Sequence, residues 1–152
     1  MMDDSFEIRR ERLLTALRRE MPYPAFEPED YLAASGSAVQ ALMACDLFLP
    51  RLVVVEGLVL LRQSVDDQAQ RDALRSALEC RDPAAVQRSF NRQELAHTFA
   101  EDGTSDLTLP ALAVGVAESW RAWLAHRFPG RTFVVDIEHE DDGPVIEFWE
   151  PS

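Results

Sequence analysis

The sequence predicts an α+β fold: one domain in which an antiparallel sheet of about four strands, supplied by two hairpins, packs with about five helices. Three observations carry this expectation. The chain has 152 residues, 47% of them hydrophobic, enough to bury about 70% of its unfolded surface around one core. Segments with the helical apolar period stand in groups before and between the strand-like segments, rather than alternating with them one for one. The stretch from Trp120 to Glu150 reads as a helix feeding a β-hairpin, and a lone hairpin is marginal in water until other elements cover it.

Taken in order, Ser5 caps a first helix to about Glu20, with Phe6, Leu13, Leu14, Leu17 and Met21 near one stripe. Pro22, Pro24 and Pro28 break it into an extended connector whose Tyr23 and Phe26 call for burial. Ser35 or Ser37 starts a second helix to about Phe48, with Val39, Leu42, Met43, Leu47 and Phe48 nearly helical in period, and Pro50 ends it.

Leu52 to Leu61 is apolar except for Glu56. Glu56-Gly57 reads as a two-residue turn between the strands Leu52–Val55 and Leu58–Leu61, with Gly supplying positive φ. Both arms are apolar on both faces, so both faces are expected to be covered. The competing reading is one continuous strand, which would bury Glu56 at a cost that implies function.

Asp66 or Asp67 opens a helix through Ala69, Ala73, Leu74, Ala77 and Leu78. Asp82-Pro83 restarts one, with Asp as N-cap and Pro in the first turn, carrying Val86, Phe90 and Leu95. Glu101–Asp106 is a polar loop. The last helix runs from about Leu109 to Arg127 and stops at Phe128-Pro129-Gly130. In the closing hairpin Phe133, Val135 and Ile137 face one way, and Thr132, Val134, Asp136 and Glu138 the other.

Trp120-x-x-Trp123-Leu124 followed by Phe128-Pro129-Gly130-Arg131-x-Phe133-x-Val135, with Phe48-Leu49-Pro50 and the Glu56-Gly57 turn further back, resembles a pattern found in short bacterial hypothetical proteins of no assigned activity. The likeness covers about half the chain. It implies a fold relation and no site.

The net charge is -12, and all fifteen basic residues are arginine. Without lysine there is no Schiff-base or P-loop lysine chemistry, and the acidity argues against binding a nucleic-acid backbone. No apolar run is long enough to span a bilayer. The opening Met-Met-Asp-Asp has no apolar signal core, so the expectation is a cytoplasmic protein. Cys45 and Cys80 stand apart and read as reduced small apolar residues.

Seven acids and no arginine lie between Asp136 and Glu150. This acidic hairpin, through Glu138, Glu140, Asp141 and Asp142, is the expected recognition surface for a basic protein partner, on a chain expected to be non-enzymatic and to need no cofactor. Its bland counterpart is a solvated turn. A calcium or magnesium site from the same acids does not match EF-hand spacing. The alternative function is a metal-dependent hydrolase using Glu94 and His97, which share a face if they lie on one helix; a second such pair, needed for a two-metal bundle site, is missing from the sequence. His126 sits in a last helical turn, where a cation meets the helix dipole favourably. His139 adjoins two acids and has no nucleophile beside it in sequence. Trp120, Trp123 and Trp149 read as the seam between the last helix and the sheet.

Overall fold

In the computed structural model the chain is described over residues 6–20, 29, 36–99 and 105–152. The elements are α1 (Phe6–Glu20), α2 (Ala38–Phe48), β1 (Leu52–Val55), β2 (Leu58–Leu61), a 3-10 turn (Arg62–Ser64), α3 (Gln68–Cys80), α4 (Pro83–Phe90), β3 (Arg92–Glu94), α5 (Leu95–Thr98), α6 (Ser105–Arg127), β4 (Val134–Glu140) and β5 (Gly143–Trp149). The α+β expectation holds, with six helices and five antiparallel strands among the described residues. No helix among them is long and apolar enough to cross a membrane.

The expected helix starts are chemically intact. The Ser37 hydroxyl accepts from Gln40 N, Asp82 accepts from Ala85 N with Pro83 following it, and Asp67 forms a capping box with Gln70. Ser5, Ser35, Tyr23 and Phe26 lie outside the described residues. Glu56 and Gly57 both have positive φ, 51° and 79°, the pair of values a type I′ hairpin turn demands. Val55 therefore pairs with Leu58 and Leu52 with Leu61, and Glu56 is an exposed turn residue. The continuous-strand reading fails on this geometry.

The β1–β2 hairpin is a wall between two cores. Val59 and Leu61 join Leu95, Val116, Trp120, Leu124, Ile146 and Phe148 in the larger one. Leu60 turns the other way, to Val65 after the 3-10 turn and to Leu74 and Val86 of α3 and α4. Period-two alternation of an all-apolar strand dictates this two-sided burial.

The expected single four-strand sheet is instead two sheets, β1–β2 and β3–β5–β4. The expected helix through Leu95 stops at Phe90, and Arg92–Glu94 forms a strand beside β5, with Arg92 opposite Glu147. The reason lies in Asn91 and Gln87. Asn91 Oδ1 accepts from Leu61 N (2.9 Å), and its Nδ2 donates to Val59 O (3.0 Å) and Phe148 O (3.3 Å). Gln87 Nε2 donates to Val59 O, while its Oε1 accepts from Glu150 N. Two buried side-chain amides thus do for the edge of β2 what a neighbouring strand would do, and they tie it to β5.

Trp120 packs edge-on to Phe148, ring centres 5.7 Å apart, as the seam expectation requires. Its indole N–H donates to Leu47 O, Trp123 Nε1 to Pro50 O and Ser119 Oγ to Phe48 O. Trp120 and Ser119 take up carbonyls that the end of α2 leaves without helical partners, and Trp123 takes the carbonyl of Pro50 just beyond it. Trp149 departs from the expectation: it lies on the outer face of the sheet, with the Arg88 guanidinium 4.6 Å from its ring centre. In α2 Leu47 and Phe48 pack on the core, but Val39, Leu42 and Met43 are exposed.

Candidate functional site: the acidic hairpin and its arginines

β4 and β5 are paired over seven residues, from Val134 opposite Trp149 to Glu140 opposite Gly143, with Asp141 and Asp142 as the two-residue turn. Gly143 holds φ 126°, which a side chain would resist. Pro144 lies beyond the reach of β3, whose last pair is Glu94 with Val145, so its missing N–H costs no ladder bond. Strand alternation puts Val135 and Ile137 toward the core and Asp136, Glu138 and Glu140 in one row on the outer face.

The same outer face carries Glu147, opposite Asp136 and Arg92. Glu147 is 1% exposed, a carboxylate that burial would penalise heavily without partners. Two arginines supply them. Arg88, from the last turn of α4, donates through Nε to Glu147 Oε2. Arg92, at the start of β3, donates to Glu147 Oε1 at 2.5 Å and to Glu140 Oε1 at 2.5 Å. Glu138 stands 3.7 Å from Arg88 and 3.8 Å from Arg92. Hydrogen bonding to Glu147 raises the pKa of Arg88, and hydrogen bonding to Glu140 that of Arg92, in each case against the opposing pull of burial. A second clamp sits at the strand end: Arg131 holds Glu150 through Nε at 2.6 Å and through Nη2, and its pKa is raised first by that hydrogen bond.

The four acids singled out in the sequence therefore occupy two environments. Glu138 and Glu140 are partly exposed and shared with the arginines. Asp141 and Asp142 are exposed at the turn. Arg88, Arg92 and Arg131 were missed because the acidic count stopped at the hairpin's own sequence. The signal was available in Gln87-Arg88-Ser-Phe-Asn91-Arg92, where an amide pair and an arginine pair each recur at a spacing of four.

Glu94 and His97 do come together, His97 Nδ1 meeting Glu94 Oε2. They do so across the end of β3 and the single turn of α5, not along one long helix. Glu140 and Asp142 line the same hollow, of about 20 Å³, roughly the room one water needs. Among the described residues no three His, Cys, Asp or Glu side chains are grouped to hold a metal ion. His126 stacks on Trp123, ring centres 5.8 Å apart. His139 is exposed, and Cys45 and Cys80 are exposed free thiols. The arrangement as a whole offers fixed charges and hydrogen-bond groups.

No protein-family model matches the chain, and no curated protein or solved structure matches it either. The resemblance to short bacterial hypothetical proteins rests on the residues quoted for it.

Proposed function

We propose that this chain is a non-enzymatic interaction module of the cytoplasm, a single α+β domain whose acidic C-terminal hairpin docks a basic segment of a partner protein. The observation that carries the reading is the row Asp136, Glu138, Glu140 with Asp141 and Asp142 at its end, held by a continuous seven-residue ladder. Charges on a rigid strand lose little freedom when a partner arrives, so their field acts on encounter rate and orientation. Arg88 and Arg92 neutralise the buried Glu147 and hold Glu138 and Glu140 in place, leaving a surplus of negative charge facing outward. Such a surface suits lysines or arginines on a protein and disfavours a phosphate backbone or an anionic lipid surface.

Asp141→Lys/Asp142→Lys is the clean test, because neither residue is part of the arginine network. Co-purification from the native cell identifies the partner, and calorimetry at low and high salt measures it. The reading requires the double variant to weaken binding about tenfold or more at low salt, with the thermal midpoint unmoved. A partner captured equally by the double variant, with no salt dependence, removes the hairpin as the docking surface.

A further inference from the structure

A second open surface is the free edge of β1. Among the described residues β1 pairs with β2 alone. Leu61 turns its N–H away from β1 toward Asn91, and Val59 turns its C=O toward Gln87 and Asn91. In an antiparallel ladder their partners Leu52 and Val54 must then turn their own N–H and C=O groups outward, on the side away from β2. Val54 is also 55% exposed. The outer edge of β4 is different: Arg121 donates to Val135 O at 2.7 Å, and the Ile137 N–H is taken by Asp136 Oδ1 at 2.9 Å. Two outward groups of β4 are thus met from within the chain, whereas β1 has no second strand beside it among the described residues.

A hollow flanks each face of β1 at this edge. On the α3 side, about 330 Å³ is lined by Val53 and Val55 with Arg62, Arg71 and Arg75, against one acid, Asp66. On the α6 side, about 270 Å³ is lined by Leu49, Leu52 and Trp123 together with Arg51, Arg62 and Arg127. A strand added to an edge needs paired main-chain groups and a pocket on each face for its alternate side chains. Both are present, and arginines line both, with Leu49, Leu52 and Trp123 supplying the larger apolar wall on the α6 side. We propose that β1 receives an extended peptide strand alternating acidic and apolar side chains, its carboxylates toward Arg62, Arg71 and Arg75 and its apolar side chains toward Leu49, Leu52 and Trp123.

The arginines are free enough to change partners. Arg62 meets Asp66 at 3.4 Å, and Arg75 meets Glu56 and Asp72, all as exposed pairs. Arg71 donates Nε to Val65 O, which leaves the far edge of its guanidinium for a carboxylate. A second copy of the chain is the wrong occupant. Edge-to-edge pairing of two β1 strands would set like arginines beside one another. The surface is separate from the acidic hairpin, and the partner has the opposite charge.

The test uses the full chain and a fluorescein-labelled peptide of about ten residues alternating Glu with Val, with amide NMR shifts to locate it. Saturable binding is expected, with the largest shifts at Leu52 and Val54. Arg71→Ala/Arg75→Ala is expected to weaken it about fivefold or more, a proline at the peptide's centre to abolish it, and Asp141→Lys/Asp142→Lys to leave it intact. No binding, or equal binding of the proline-interrupted peptide, overturns strand addition and leaves the arginines as guards of the edge. Equal binding by Arg71→Ala/Arg75→Ala overturns the acidic specificity. Sedimentation showing a dimer that Val54→Pro dissolves assigns the edge to a second copy instead.

Discussion

Replacing Asn91 by alanine should be among the most damaging single changes to the described fold. The side chain is fully buried and its amide serves three main-chain groups on two sheets. Val59 O keeps Gln87 as a donor, so the substitution orphans two groups, Leu61 N–H and Phe148 C=O. Each unsatisfied buried group costs about 1–3 kcal/mol, which puts the loss at about 2–6 kcal/mol before the cavity is counted. A whole domain is stable by about 5–15 kcal/mol. Asn91→Asp keeps the volume and the acceptor for Leu61, but sets an oxygen against Val59 O and Phe148 O in a site with no cation. It should therefore be at least as damaging as alanine, although it is closer in shape. Urea unfolding followed by tryptophan fluorescence, with an unchanged slope, measures both. A loss below about 1 kcal/mol for Asn91→Ala would refute the claim that this amide replaces a strand. So would an Asn91→Asp variant of wild-type stability.

The buried carboxylate should show an asymmetry. Glu147→Leu leaves two arginines that reach solvent and should cost about 1 kcal/mol or less, whereas Arg88→Met/Arg92→Met strands a buried charge and should cost about 2–3 kcal/mol, below the usual range because Arg88 is partly exposed; equal losses would contradict the arrangement. Glu56→Asn should raise the urea midpoint, because asparagine accepts the positive φ of the turn better than glutamate does, by about 0.5 kcal/mol; a lowered midpoint would show that the contact with Arg75 outweighs the turn. The raised pKa of Arg88, Arg92 and Arg131 adds stability that is complete below the unfolded guanidinium value and lost only above the folded one. Both lie far above neutral pH, so these cations should add no pH dependence between about pH 5 and 9, and a network lost on shifting from pH 7 to 9 by NMR would contradict that.

The local grammar of the fold was legible because it is local. Ser37, Asp67 and Asp82-Pro83 cap helices through atoms three residues away, and Glu56-Gly57 sets its hairpin through two φ angles. The two-residue alternation of Thr132–Glu138 named which face of β4 would be buried, and the apolar run Leu52–Leu61 called for cover on both of its faces. The acid count of the last hairpin was likewise written in one stretch. What the tertiary structure decided depends on residues far apart in the chain. Asn91 and Gln87 turn a continuing helix into a junction that stitches two sheets, and Arg88 and Arg92 arrive beside Glu147 from more than fifty positions away. A carboxylate reads as a surface group until its neighbours are known, and an apolar strand reads the same at an edge or in the middle of a sheet. Only packing could show that Glu147 is enclosed, that Arg121 and Asp136 meet the outer edge of β4, and that among the described residues β1 is left open between two hollows.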